Sequence, residues 1–122
     1  MLNALIVDDE EDICELLREA LEKFELNTRY TLTGEEAVQR IRNQEFRLCI
    51  VDLRLSTGIT GLDVIQIIRE HSPKCLIVAM TGYVDIGLRQ AAEKIGIDAF
   101  LTKPDDLRQN VFDEKIKNLL QL

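Results

Sequence analysis

Apolar runs long enough for a β-strand alternate with amphipathic segments of helical period along the whole chain, five of each. Four of these runs are almost wholly apolar, whereas the second carries several polar residues. Continuously apolar strands are typical of parallel sheets that helices cover on both faces. The helical segments agree with this, because each parallel strand needs a crossover connection to the next. The sequence therefore predicts an α/β protein built on one parallel sheet.

The predicted strands cover about residues 3–8, 26–32, 47–52, 75–81 and 98–102. Right-handed crossovers leave few possible strand orders. A flavodoxin-like, doubly wound sheet of order 2-1-3-4-5 with five helices agrees best, because it places the polar second strand at an edge. The first helix has a predicted apolar face that consists of Ile13, Leu16, Leu17, Ala20, Leu21 and Phe24.

Local signals predict several helix ends. Thr33 and Glu36 form a capping-box pattern before the second helix. Pro73 ends the third helix, and the fourth is predicted over residues 84–95 with Gly96 as its terminal glycine.

Length and charge restrict the classes of protein to which this chain can belong. The 122 residues suit a single domain over residues 1–122, and 15 basic against 22 acidic residues give a formal charge of −7. Nucleic-acid phosphates repel such a surface, so we expect no direct nucleic-acid binding by this domain. We also expect a cytoplasmic protein without membrane contact, because no run approaches the ~20 apolar residues of a span and no secretory signal is present. Cys14, Cys49 and Cys75 show no metal-binding spacing, so we expect them to be reduced and buried.

Four of the apolar runs lead into reactive polar side chains. Asp8 and Asp9 follow the first run, Asp52 ends the third, Thr81 ends the fourth, and Lys103 follows the fifth. The carboxyl ends of parallel strands lie at one edge of the sheet, where ligands bind in doubly wound folds. We therefore expect three carboxylates, a hydroxyl and an ammonium group to meet in one crevice.

This set of side chains suits phosphoryl transfer that depends on a divalent cation. Carboxylate oxygens are hard ligands that select Mg²⁺, or Mn²⁺, over zinc. Three carboxylates and one ammonium would repel a phosphate, so we infer that a metal ion is required. A carboxylate can attack phosphorus to form an aspartyl phosphate, and Asp52 on a central strand is the best-placed nucleophile. Thr81 can donate its hydroxyl to one phosphoryl oxygen, and Lys103 can pair with another.

Together these motifs resemble the receiver domain of two-component response regulators, with a likeness to chemotaxis regulators. The resemblance covers essentially the whole chain and rests on Asp8-Asp9, Asp52-Leu53-Arg54, Thr81-Gly82 and Lys103-Pro104. It implies that Asp52 is the phosphoacceptor and that Asp9 and Asp52 bind Mg²⁺ directly. The backbone carbonyl of Arg54 would be a further ligand, and Asp8 would act mostly through bound water.

The resemblance also implies a conformational switch. Thr81 and Lys103 would hold the phosphoryl group, and Phe100 would turn inward when Thr81 moves toward the phosphate. The face formed by the fourth helix, the fifth strand and the fifth helix would then change. The Lys103–Pro104 peptide bond would be cis.

The function implied by the resemblance is that of a phosphoacceptor signalling switch. A sensor histidine kinase or a histidine phosphotransfer protein would donate the phosphoryl group. The switched face would control a partner or an output domain in the same parent chain, with the protein as a monomer or a phosphorylation-dependent dimer. The chain would not be an enzyme beyond accepting and losing its own phosphoryl group, and no organic cofactor site is expected.

Three departures from the family pattern concern the loops around the crevice. Ser56 stands where proline is usual, the loop 57–61 is one residue longer than in the shortest relatives, and Asp105 stands where an apolar residue is common. These positions bear on loop geometry, phosphate lifetime and the choice of partner. Arg54 and Tyr83, each two residues past a strand end, are hypothesised to shield the phosphoryl group from water.

Other classes of protein agree less well with the sequence. A metal-dependent phosphatase with an aspartyl phosphate would need a second aspartate two residues past the nucleophile, where this chain has Arg54. A flavin-binding protein would need a loop rich in Ser, Thr and Gly after the first strand, where this chain has five acidic residues. A binding-only relative of receiver domains would have lost reactive positions, all of which are occupied here.

Overall fold

The computed structural model describes residues 2–82 and 85–122. The elements in chain order are β1 (Leu2–Val7), α1 (Glu11–Glu22), β2 (Leu26–Thr31), α2 (Gly34–Asn43), β3 (Leu48–Asp52), α3 (Gly61–His71), β4 (Leu76–Thr81), α4 (Ile86–Ile95), β5 (Ala99–Thr102), a short 3₁₀ helix (Asp105–Leu107) and α5 (Gln109–Leu120). Within the described ranges, the five strands form one parallel sheet of order β2-β1-β3-β4-β5. The predicted fold class and strand order are therefore confirmed.

The sheet separates two layers of buried apolar side chains. Successive residues of a strand point to opposite faces, so Leu5 and Ile6 of β1 belong to different layers. Helices α2, α3 and α4 pack on the layer that contains Leu5, whereas α1 and α5 pack on the layer that contains Ile6. Burial of each such side chain contributes about 1.5–3 kcal/mol. Packing on both faces thus holds the central strands in place, and with them the residues at the strand ends.

Short-range signals mark several helix ends as predicted. The Thr33 hydroxyl accepts a hydrogen bond of 3.2 Å from the backbone N–H of Glu36, and α3 ends before Pro73. Gly96 follows α4 with a φ of 110°, a conformation that favours glycine. The predicted start of the fourth helix at residue 84 lies outside the described residues, and α4 begins at Ile86.

One residue of the predicted apolar face of α1 does not face the core. Leu16 is 49% exposed, whereas Cys14, Leu17 and Leu21 are the buried residues of the helix. Each residue advances about 100° around an α-helix, so Leu16 lies about 100° from Leu17 and outside the stripe that the last three define. The three cysteines are free and buried, as predicted.

A short 3₁₀ helix between β5 and α5 was not predicted. It spans Asp105–Leu107, too few residues to show a periodic pattern. The Asp106 carboxylate accepts a hydrogen bond of 2.8 Å from the backbone N–H of Thr102. This contact ties the turn to the end of β5, next to the crevice.

Candidate functional site

The carboxyl ends of β1, β3, β4 and β5 lie side by side at one edge of the sheet. The parallel register pairs Val7 with Val51 and Thr81 with Thr102, so the residues that follow emerge together. An open crevice lies there, lined by the predicted residues Asp9, Asp52 and Lys103, whereas the predicted Asp8 and Thr81 are fully buried beside it. Its lining consists of Asp9, Glu10, Ile13, Asp52, Arg54, Gly82, Lys103 and Pro104.

The Lys103 ammonium group lies among three carboxylates in this crevice. Its Nζ is 2.6 Å from Oδ2 of Asp8, 2.9 Å from Oε2 of Glu10 and 3.1 Å from Oδ2 of Asp52. Burial lowers the pKa of Lys103, but the contacts with Asp8 and Glu10 outweigh burial and hold the pKa above its usual value. Lys103 therefore stays charged and holds the predicted nucleophile Asp52 close to Asp8 and Glu10.

Glu10 is a site residue that the sequence analysis missed. It belongs to the acidic run Asp8-Asp9-Glu10, and the run itself was the available signal. Sequence alone assigns a run before a helix to the helix dipole as readily as to a site. The contact with Lys103 depends on how the chain turns after β1, which the sequence pattern does not specify.

Asp8 and Asp52 are buried carboxylates. Burial raises the pKa of Asp8 to about 6, and the neighbouring charge of Asp52 adds to the increase, while contacts with Lys103 and the Glu10 N–H oppose it. Burial also raises the pKa of Asp52, and an N–H of Arg54 that donates to Oδ1 over 2.9 Å opposes that increase. Loss of solvent is thus the larger cause of the raised pKa of both Asp8 and Asp52, and repulsion by a neighbouring carboxylate is a smaller one.

Asp8, Asp9 and Glu10 form a cluster with the chemistry of a cation site. Their carboxylates offer oxygen atoms within 4.8 Å of one another. Oδ2 of Asp8 is paired with Lys103 by charge, yet it accepts no hydrogen bond of proper geometry from the described residues. Binding of a cation would stabilise a buried carboxylate oxygen that lacks a hydrogen bond. The all-oxygen donor set suits Mg²⁺ or Mn²⁺.

The structure thus brings some, but not all, of the predicted metal ligands into this cluster. Asp8 and Asp9 belong to the cluster, and Asp52 lies across Lys103 from it. Oδ2 of Asp9 accepts a hydrogen bond of 3.1 Å from the Ser56 N–H, which orients this carboxylate over the crevice.

Two glycines at the crevice have different reasons for lacking a side chain. A Cβ atom on Gly61 would lie 2.1 Å from the carbonyl oxygen of Asp52, so the start of α3 can approach the end of β3 only without one. A Cβ on Gly82 would meet only Lys103 Cβ, at 4.0 Å. The absence of a side chain at Gly61 therefore lets α3 begin close to Asp52, whereas Gly82 leaves open space at the crevice.

The residues predicted to form the switch lie on β4 and β5. Thr81 is fully buried, and its carbonyl oxygen accepts a hydrogen bond of 2.8 Å from the Lys103 N–H. The Phe100 ring is half-buried under the Arg89 guanidinium, whose carbon lies 4.7 Å from the ring centre. The Lys103–Pro104 peptide bond is cis, as the resemblance implies. Tyr83, predicted to shield the phosphoryl group, lies outside the described residues.

Comparison with known proteins identifies the family to which this architecture belongs. The sequence profile of the response regulator receiver domain matches residues 4–112. The response regulator protein PilR of Pseudomonas aeruginosa is 41% identical over 104 residues, which are 85% of this chain and 23% of PilR. The chain belongs to the receiver domain family of two-component response regulators, a family of signalling domains.

Solved structures support the same assignment. A CheY-like receiver domain protein from Methanospirillum hungatei superposes with a TM-score of 0.90 at 26% identity, over 99% of this chain and 94% of that one. A response regulator from Burkholderia pseudomallei, solved with a phosphorylated aspartic acid, a calcium ion and citrate, has a TM-score of 0.79 at 27% identity. It is matched over 75% of its length by 99% of this chain.

The chain spans about a quarter of the length of PilR. Among residues 2–82 and 85–122, no helix combines the length and the apolar character that a membrane crossing requires.

Proposed function

We propose that this chain is a phosphoacceptor switch in which Asp52 receives a phosphoryl group. The observation that carries the proposal is the contact of 3.1 Å between the Asp52 carboxylate and Lys103, in a crevice that also holds the cation cluster. Asp52 is buried but reachable from the crevice that it lines. A nucleophile needs just this combination of a fixed position and one open approach.

The transfer would proceed by displacement at phosphorus. A carboxylate oxygen of Asp52 forms a bond to phosphorus, while the bond from phosphorus to the donor breaks and its electron pair leaves with the donor atom. Lys103 pairs with one phosphoryl oxygen and Thr81 donates its hydroxyl to another. Because phosphoryl transfer needs mainly positioning and charge stabilisation, this small set of residues suffices.

Asp8 and Asp9, with Asp52 and the Arg54 carbonyl, would hold Mg²⁺ or Mn²⁺. When bound, the cation supplies positive charge for the phosphoryl oxygens. The carboxylates of Asp8, Asp9, Glu10 and Asp52 outnumber the single ammonium group of Lys103 and would otherwise repel a phosphate dianion, which supports a requirement for metal.

The phosphorylated state would be read at Phe100. Thr81 and Phe100 lie on neighbouring strands, so movement of Thr81 toward the phosphate frees space beside β5. The ring would turn inward and leave its contact with Arg89 of α4. The face built from α4, β5 and α5 would then have a different shape for a partner or an output domain.

The remaining features of the proposal concern the protein as a whole. The receiver domain would span residues 1–122 and act in the cytoplasm. A sensor histidine kinase or a histidine phosphotransfer protein would supply the phosphoryl group, and the domain would be a monomer or dimerise on phosphorylation. Catalysis would be limited to its own phosphorylation and dephosphorylation. A phosphatase agrees less well, because Arg54 occupies the position of the required second aspartate.

The test is formation of the aspartyl phosphate. The protein is incubated with Mg²⁺ and acetyl phosphate, and intact mass spectrometry measures the adduct before and after mild base. We expect a base-labile adduct on the wild-type protein and on Asp105→Asn, an exposed carboxylate control, but none on Asp52→Asn or with EDTA. An adduct that persists in Asp52→Asn would refute the proposal. Rapid turnover of a phosphate monoester without a stable adduct would favour the phosphatase.

A further inference from the structure

An ion pair connects the loop after Asp52 with the start of α4. Nη2 of Arg54 lies 2.8 Å from Oδ2 of Asp85, and their side chains are 48% and 35% exposed. Arg54 follows β3 and Asp85 precedes α4, so the pair links two strand-to-helix connections on the crevice side of the sheet. Asp85 lies outside the motifs on which the family resemblance rests.

The two carboxylate oxygens of Asp85 have separate tasks. Oδ1 accepts a hydrogen bond of 3.0 Å from the Leu88 N–H and caps α4. Oδ2 accepts from the Arg54 guanidinium. Asparagine caps a helix about as well as aspartate. The capping task and the ion pair can therefore be separated by one substitution.

Arg54 is also close to the reacting carboxylate. Its backbone N–H donates to Oδ1 of Asp52, and the residue lines the crevice. A guanidinium has a fixed fork of donors that matches a phosphate better than a single carboxylate oxygen. A phosphoryl group carries −1.5 to −2 charges at neutral pH, against one on Asp85. The group on Asp52 would thus compete well for Arg54.

We propose that Arg54 exchanges its partner from Asp85 to the phosphoryl group when Asp52 is phosphorylated. This inference rests on the proposed function of Asp52. Before transfer, Asp85 neutralises the guanidinium and lowers its attraction for an incoming dianion. After transfer, Arg54 binds the phosphoryl oxygens, and the start of α4 loses its tie to the loop after β3. Asp85 is then a positioning residue that sets both the rate of transfer and the attachment of α4.

The exchange predicts a gain of function when the pair is broken on the Asp85 side. In Asp85→Asn, the helix cap remains while the guanidinium of Arg54 loses the charge of Asp85 that opposes its attraction for the donor. Ion pairs at this exposure contribute about 0.2–1 kcal/mol, which corresponds to acetyl phosphate reacting about 1.4- to fivefold faster at low salt. The increase should shrink as salt is added, because exposed charges are screened.

A double-mutant cycle tests the exchange. Initial rates of adduct formation are measured by intact mass for the wild-type protein, Asp85→Asn, Arg54→Gln and the double variant. We expect Asp85→Asn to be faster, Arg54→Gln to be slower, and Asp85→Asn to have no effect in the Arg54→Gln background. Asp85→Ser keeps a capping oxygen and should match Asp85→Asn. Asp113→Asn, which breaks the distant Lys23–Asp113 pair of 2.8 Å, should keep the wild-type rate.

The outcomes separate the two proposals. Equal rates for Asp85→Asn and the wild-type protein would overturn the exchange, as would the same acceleration in the Arg54→Gln background. Either result leaves the role of Asp52 intact, because the wild-type adduct still forms. Absence of any wild-type adduct would instead overturn the proposed function and the exchange with it.

Discussion

At the amino end of the sheet Arg69 is surrounded by well-placed acceptors, whereas at the carboxyl end several carboxylates crowd around Lys103. Arg69 of α3 donates to the carbonyl oxygens of Pro73, Cys75 and Gly96 over 2.7–3.1 Å and pairs with Asp98 at 3.2 Å. The other end gathers the buried carboxylates around Lys103. The charged groups at the amino end therefore stabilise the fold, whereas the buried carboxylates at the carboxyl end lower its stability.

Asp98 illustrates the amino end. Its Oδ2 accepts from both the Ile77 N–H, over 2.8 Å, and Arg69. Asp8 at the carboxyl end is less well matched, because burial raises its pKa to about 6 in spite of Lys103. A protein selected for stability alone would gain from removing the charge of Asp8. Its retention agrees with a site that awaits a cation and a phosphoryl group.

The largest expected effect follows from removing Arg69. Arg69→Ala leaves several partly buried carbonyl oxygens without a donor, so we expect the free energy of unfolding to fall by about 3 kcal/mol. Urea denaturation measures the change. Arg69→Lys keeps the charge near Asp98 but cannot supply the same fork of donors, and should lose an intermediate amount. A loss below about 1 kcal/mol for Arg69→Ala would show that the amino end is not a stabilising network.

A smaller effect is expected from a side chain at Gly61. The Cβ of Gly61→Ala would clash with the backbone of β3 at Asp52, so we expect a loss of about 2 kcal/mol and slower adduct formation. Gly82→Ala is the matched control, because its Cβ meets open space and should change stability by less than about 0.5 kcal/mol. Equal losses in the two variants would contradict the close approach of α3 to β3.

Replacing an aspartate by asparagine should change the free energy of unfolding in opposite directions at the two ends of the sheet. Without metal at pH 7, Asp8→Asn should stabilise the protein by about 1–2 kcal/mol, because it removes a charge that burial disfavours. Asp98→Asn should destabilise it by about 1 kcal/mol, because it weakens a satisfied pair. Chemical denaturation in EDTA measures both. Destabilisation by both variants would remove the contrast between the ends of the sheet.

The fold was predictable because its signals are local and repeated. Strand-length apolar runs such as that before Asp52 and capping patterns such as Thr33 with Glu36 each specify an element without knowledge of the rest. Alternation then restricts the topology. The exposure of Leu16 on α1 was not predictable at that level, because it depends on which residues of a broad apolar face meet the sheet.

The site was predictable to the extent that strand ends determine it. Asp8, Asp52 and Lys103 meet because parallel strands bring them together. The contacts of Glu10 with Lys103 and of Arg54 with Asp85 were not foreseen. Each of these contacts joins two segments that are far apart in the sequence. Its geometry depends on side-chain conformations, which no periodic pattern encodes.

The most direct test of the contrast is the pH dependence of stability for the wild-type protein and Asp8→Asn, with and without Mg²⁺. The folded protein binds a proton at Asp8 more tightly than the unfolded chain, whose carboxyl has a pKa near 3.8. The contribution of Asp8 to stability therefore falls as pH rises from about 4 through about 6. In EDTA, the advantage of Asp8→Asn should be absent below pH ~4 and complete above pH ~6. Mg²⁺ should remove or reverse that advantage at pH 7, because it stabilises only the charged site. An advantage that is independent of pH and of Mg²⁺ would contradict the account of the carboxyl end as a cation and phosphoryl site.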